Sequence, residues 1–142
     1  LEVELIRDLP DATLWVQAGE TRLRQVLGNL LANALDALTE KANPRKLWLS
    51  AERKDDNVYL YIRDNGPGFS SEAMARAREP FFTTKTRTQG LGLGLAICDT
   101  LMRALGGELL LANHPEGGAL LTLKLRVAKP GANLQTSEDP SA

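Results

Sequence analysis

Cysteine occurs once in the 142 residues, as Cys98, which leaves no disulfide framework and no thiolate metal cluster and fits a reducing compartment. Long apolar runs are missing as well: nothing approaches the roughly 20 residues needed to span a bilayer, and the opening residues do not read as a secretory leader. Neither charge predominates. Lys and Arg number 17 against 18 Asp and Glu, a formal net charge of −1, so there is no bulk drive toward nucleic acid or an anionic membrane surface. Histidine occurs once, at His114, directly before Pro115; that pairing disfavours helix and reads as an exposed turn. The sequence contains no G-x-x-x-x-G-K-[ST], and G-x-G-x-x-G fails because Leu95 stands at the third glycine position, which excludes the two commonest glycine-rich phosphate loops. No self-similarity appears at solenoid periods. The first residue is Leu1 rather than Met, and the expectation is a segment of a longer protein whose membrane part, if it has one, lies elsewhere.

What is there is ordinary globular material. Hydrophobic residues make up 43% and charged residues 25%, so the chain is not disordered throughout, and a chain this size buries about two-thirds of its unfolded surface. At about 100–200 residues per domain it forms one. From Lys129 the sequence reads KPGANLQTSEDPSA, so the expected division is a folded body over 1–128 and a disordered tail over 129–142.

Periodicity places the elements. Short extended segments are expected over 2–6 and 13–16, around a turn at 8–11. Leu23, Val26, Leu27, Leu30, Leu31, Ala34, Leu35 and Leu38 keep the three/four spacing of one helix over 20–38. Alternation predicts strands over 46–53 and 58–63, joined through Asp55-Asp56-Asn57. A short helix over 71–78, capped by Ser70 or Ser71, precedes a polar stretch over 83–90. A helix over 91–105 stops at Gly106-Gly107, and a last strand pair, 108–112 and 119–127, is joined by the 113–118 turn. The order predicts a two-layer α/β (α+β) sandwich, with a mixed, mostly antiparallel sheet of about five strands covered on one face by about three helices. Cys98 reads as a small core residue, and Trp15 and Trp48 as packing.

Four clusters carry chemistry. On the long helix, with Leu23 at zero and about 100° per residue, the apolar stripe centres near 40°, while Asn29, Asn33 and Asp36 fall at about 240°, 280° and 220°. Two amides spaced i, i+4 sit side by side, and an amide oxygen is a hard neutral ligand suited to Mg²⁺; alone, this is also simply a polar helix face. Asp64-Asn65-Gly66-Pro67-Gly68 follows a strand, and Asp64 shares the parity of Val58, Leu60 and Ile62, so it points inward. A buried carboxylate needs donors, and the exocyclic amino group of a base is one. Gly66 and Gly68 permit unusual backbone angles and close approach, although Asn-Gly is also a plain turn. Pro80-Phe81-Phe82-Thr83-Thr84-Lys85 anchors a polar loop and is equally a hydrophobic plug. Gly90-Leu91-Gly92-Leu93-Gly94 leads into a helix, where backbone N–H groups converge on an anion.

In this order, the four clusters together resemble the N, G1, F and G2 boxes of the nucleotide-binding family of gyrase, the heat-shock ATPase chaperone, MutL and the histidine kinases, over about residues 1–127. QVLGNLLANA at 25–34 is similar to the N box of sensor histidine kinases. Asn29 stands where gyrase-type ATPases carry a water-activating glutamate, and an amide cannot act as a general base. Asp36-Ala37, PFFTTK and GLGLGLAI resemble the nitrogen-regulation and C4-dicarboxylate-sensing kinases.

The resemblance implies a Bergerat-type ATP-binding fold that binds Mg-ATP and passes the γ-phosphoryl group to a histidine. Asn33 would hold Mg²⁺, with Asn29 supporting the metal–phosphate end. Asp64 would accept from the adenine amino group, beside Gly66 and Gly68. Gly90, Gly92 and Gly94, with the amides of Leu91 and Leu93, would hold phosphates, Lys85 would reach them from the lid over 83–90, and Thr122 would join the adenine network. His114 does not fit the phosphoacceptor, which such kinases carry on a separate dimerisation domain. The implied partners are that domain and a response regulator, with no nucleic acid and no direct membrane contact. The implied setting is a monomeric cytoplasmic domain of a homodimeric parent in the bacterial inner membrane. Three rivals stay open on the sequence: a hydrolytic ATPase module, a serine kinase of an anti-anti-sigma partner, and a degenerate interaction domain.

Overall fold

The computed structural model describes residues 2–76 and 94–128. Its elements are β1 (Glu4–Asp8), α1 (Glu20–Leu38), β2 (Lys46–Lys54), β3 (Asn57–Asp64), α2 (Ser71–Arg76), α3 (Gly94–Ala104), β4 (Glu108–Asn113) and β5 (Ala119–Arg126). The strands form one sheet in the order β1-β2-β3-β5-β4. β1 and β2 run parallel, Glu4 opposite Lys46 and Asp8 opposite Ser50, which requires a crossover that α1 supplies. The other three pairings are antiparallel, so the sheet is mixed and mostly antiparallel, as the alternation predicts.

One face of this sheet meets the helices. Leu47, Ile62, Leu109, Leu121, Leu123 and Leu125 pack with Val26, Leu30 and Ala34 of α1 and Cys98 and Met102 of α3. Each fully buried Leu there contributes about 2 kcal/mol of transfer free energy. α1 has the limits its periodicity sets, but its buried line is Val26, Leu30, Ala34 and Leu38. That line is centred about 40° round from the middle of the apolar stripe, leaving Leu35 40% exposed. The helix therefore rolls its Asn29–Asn33 edge toward the core.

The termini of the helices explain where they stop. The Leu38 carbonyl accepts from Arg45 Nε at 3.1 Å and the Asp36 carbonyl from the Thr39 N–H at 3.1 Å, so carbonyls that the last turn leaves open are satisfied. Ser70 Oγ accepts from the Ala73 N–H at 3.0 Å, an N-cap for α2. Gly107 N–H donates to Met102 at 2.8 Å and Gly106 N–H to Arg103 at 3.0 Å, the paired bonds of a Schellman stop.

Three expectations shift. β1 lies two residues later than 2–6, because pairing with β2 continues through Asp8. Residues 13–16 supply only an isolated bridge, Val16 to Val127, and Trp15 is 40% exposed rather than packed. Trp48 packs against a guanidinium, with Arg63 Cζ 3.9 Å from its ring centroid.

Candidate functional site

β3 delivers the central side chain. Alternation puts Val58, Ile62 and Asp64 on the helix-covered face, all buried, and Asp64 is only 3% exposed. Its Oδ1 accepts from the Gly66 N–H at 2.8 Å and, at 3.4 Å, from the Ala119 N–H of β5. These donors offset the desolvation that a buried carboxylate would otherwise suffer.

Backbone fit holds the following loop. Asn65 turns back to the start of β2: its Oδ1 accepts from the Lys46 N–H at 2.8 Å and its Nδ2 donates to the Pro44 carbonyl at 3.0 Å. Gly66 lies against the end of α1, where a Cβ would come within 3.0 Å of the Ala37 carbonyl oxygen. Gly68 is left-handed at φ +78°, and a Cβ there would meet Asn113 Oδ1 at 2.8 Å. The two glycines thus have different reasons: close approach at Gly66, backbone conformation as well at Gly68.

The helix amides border the same region. Ala37, which Gly66 touches, is one turn beyond Asn33, and i, i+4 residues share a helix face. The loop that follows Asp64 therefore meets α1 near its C-terminal end, one turn beyond Asn33. Asn29 and Asn33 are half-buried rather than set on the solvent-facing back of the helix; the roll of α1 moves them. Asn29 hydrogen-bonds the Cys98 thiol of α3, and Cys98 Sγ also donates to the Val26 carbonyl at 3.8 Å. Gly94 begins α3, about 6 Å of helix rise from that contact.

Burial pushes the Cys98 thiol up to about 11, against the smaller opposing effect of its Asn29 bond. A thiol whose folded-state value is raised stabilises the fold below its unfolded value, and that stability is lost as pH rises. Unfolding free energy should therefore fall by about 2–3 kcal/mol on this account between pH 9 and 11. Urea midpoints across that range should drop more steeply for the parent chain than for Cys98→Ala; equal slopes would contradict the assignment.

Thr122 is not brought to the site. It lies opposite Tyr61 of β3 and Leu110 of β4, on the face away from Asp64, because Leu121 and Leu123 take the core-facing positions. Its burial comes from neighbours on that outer face. His114 is half-buried rather than exposed: its backbone closes the β4–β5 turn with Gly117 and Gly118, and Nδ1 accepts from the Glu116 N–H at 3.1 Å. Lys85, Gly90, Leu91, Gly92 and Leu93, with the 80–85 stretch, the 83–90 loop and the 129–142 tail, lie outside the described residues.

Residues that the sequence left as plain turn also serve the site. Gly118, at φ +90°, sits so tightly on Asp64 that a Cβ would fall 1.8 Å from the Asp64 carbonyl oxygen. Asn113 and Asn65 fasten the loop after β3. No local periodicity signals such contacts. Among the described residues, no group of three or more His, Cys, Asp or Glu is placed to hold a metal, and no helix is long and apolar enough to cross a membrane.

Comparison with known proteins agrees with this geometry. Residues 18–129 match the family described as histidine kinase-, DNA gyrase B- and HSP90-like ATPase. The chain is 63% identical over all 142 residues to the C4-dicarboxylate transport sensor protein DctB of Pseudomonas aeruginosa, of which it spans 23%. Among solved structures, the catalytic domain of the histidine kinase ThkA in a nucleotide-free form superimposes with a TM-score of 0.75 at 31% identity, covering 87% of this chain and 78% of that one. ThkA in complex with the response regulator protein TrrA gives 0.72 at 27% identity, covering 89% and 34%. With its family motif, its mixed sheet and its helix layer in common with these proteins, the chain belongs to the histidine kinase-, gyrase B- and HSP90-like ATPase family, among the catalytic domains of histidine kinases.

Proposed function

We propose that this chain binds Mg-ATP and donates the γ-phosphoryl group to a histidine on a separate dimerisation domain of its parent, a two-component sensor kinase. A response regulator takes the phosphoryl group onward. The parent is a homodimer in the bacterial inner membrane with this domain on the cytoplasmic side, and the likeness to DctB supports a C4-dicarboxylate as the stimulus.

The observation that carries the reading is Asp64: a carboxylate buried at the end of a central strand, held by backbone N–H groups, with the glycine loop after it set against the end of α1. There Asp64 accepts from the adenine 6-amino group, and Gly66 and Gly68 let the backbone lie close to the base. Asn33 presents a hard amide oxygen without a surrounding carboxylate cage among the described residues. That donor set suits Mg²⁺, which takes few protein ligands and keeps phosphates and waters, and does not suit structural zinc. When bound, the ion neutralises charge on the phosphates. Asn29, engaged with Cys98, helps fix this edge of α1 and has no basic atom with which to activate water, which favours transfer over hydrolysis. Lys85 and the 90–94 glycines are proposed to hold the phosphates. Catalysis is then positioning and electrostatics.

Asp64→Asn keeps the side-chain shape but turns an NH₂ group toward the base amino group. ATP affinity of the full chain should fall about 100-fold, since a buried polar readout left unpaired discriminates strongly, and preference for ATP over GTP should collapse. Nucleotide titration checks both. Unchanged affinity would remove Asp64 from base recognition.

A further inference from the structure

We infer that Asn113 is a positioning residue for base recognition, acting through the Gly66–Phe69 loop rather than touching the nucleotide. The inference rests on the reading of Asp64 above. Asn113 ends β4, with Ala119 as its strand partner, and it shares the parity of Leu109 and Leu111, so its side chain stands on the Asp64 side of the sheet. Both ends of its amide engage one residue: Oδ1 accepts from the Phe69 N–H at 2.7 Å and Nδ2 donates to the Phe69 carbonyl at 2.9 Å. The side chain thus mimics one further step of strand pairing and ties the β4–β5 hairpin to a loop 44 residues away.

The loop needs that tie. Asn65 anchors its near end to β2, and Gly66 carries the N–H that orients Asp64 Oδ1. Beyond lie Pro67 and the left-handed Gly68, the residue type least able to hold a conformation by itself. Phe69 at the far side packs against the core, and the Asn113 clamp holds its backbone at both N–H and carbonyl. The residue type is specified too. Asp lacks the donor for the Phe69 carbonyl, Ser is too short to reach both groups, and Asn supplies one of each. Because the same hairpin presses Gly118 and the Ala119 N–H on Asp64, the base-reading carboxylate is set from both sides by β4–β5.

The test compares ATP with purine ribonucleoside triphosphate, which lacks the 6-amino group, by titration of the full chain with Mg²⁺ present. In Asn113→Ala, ATP affinity should fall about tenfold, the scale of two exposed hydrogen bonds lost. Affinity for the deaminated analogue should change less than about twofold, so the selectivity ratio shrinks. Asn113→Ser supplies a second variant should the first fail to fold. Equal losses for both nucleotides, or no loss for ATP, would overturn the inference. A parent chain that itself binds the two nucleotides equally would overturn the Asp64 reading, and this inference with it.

Discussion

Replacing Asn33 by alanine should cut magnesium-dependent phosphotransfer about 1,000-fold while leaving the fold nearly untouched. The two halves of that expectation have separate causes. Asn33 is half-buried on the edge of α1, beside the buried line of Val26, Leu30, Ala34 and Leu38 but not in it, so truncation opens no core cavity. Alanine is also the better helix former, by roughly half a kcal/mol, which offsets lost contacts at the edge. Chemistry has no such compensation. Phosphoryl transfer depends on neutralising charge as it moves between oxygens, and removing one preorganised electrostatic contact at a reacting centre costs about 10²–10³-fold. Loss of the hard amide oxygen also loosens the ion that this contact would hold. The assay mixes the chain, Mg-ATP and a separately produced histidine hairpin of the parent, and scores acid-labile, base-stable phosphate. A variant that labels the hairpin at the parental rate would exclude Asn33 from the site, whereas a variant with a much lower unfolding midpoint would show that its place in the helix had been misjudged.

How far the sequence foretold this arrangement depends on the range of the signal. α1 was legible end to end because eight apolar residues hold one period over 19 residues, and the inward turn of Asp64 followed from strand alternation alone. Its burial at 3% exposure is the consequence. The roll of α1 was not legible. An apolar stripe wider than the buried line does not say which part meets the sheet and which part meets α3, and that choice decides whether Asn29 faces water or Cys98. Thr122 is a different case: alternation of Leu121, Leu123 and Leu125 puts it on the outer face, and only its motif position points to the base. Asn65, Asn113 and Gly118 act across 19, 44 and 54 residues of chain, and no local pattern encodes contacts at that range. In each case a residue type common in turns conceals a specific bond or close approach.

Gly118→Ala should be the most damaging single-atom-scale change in the described body. Two effects add. At φ +90° any L side chain is strained, by about 1–2 kcal/mol. In addition, the new Cβ would fall 1.8 Å from the Asp64 carbonyl oxygen and 2.8 Å from its carbon. That oxygen is backbone in a central strand, so it cannot rotate aside as a side chain would; either the hairpin lifts or β3 bends. Lifting the hairpin breaks the His114 N–H bond to the Gly118 carbonyl, 2.8 Å long, and withdraws the Ala119 N–H from Asp64. The summed loss should exceed about 3 kcal/mol, or roughly 10 °C in unfolding midpoint for a body of this size. Gly117→Ala provides the internal control. Gly117 also has positive φ, +102°, but nothing lies within 4 Å of its Cβ position, so only the strain of about 1–2 kcal/mol applies. Nucleotide affinity should separate the pair further, because only Gly118 touches Asp64. Urea unfolding of the two variants side by side reads the difference directly: equal midpoints would mean that the hairpin does not press on Asp64, and the β4–β5 turn would lose its part in shaping the site.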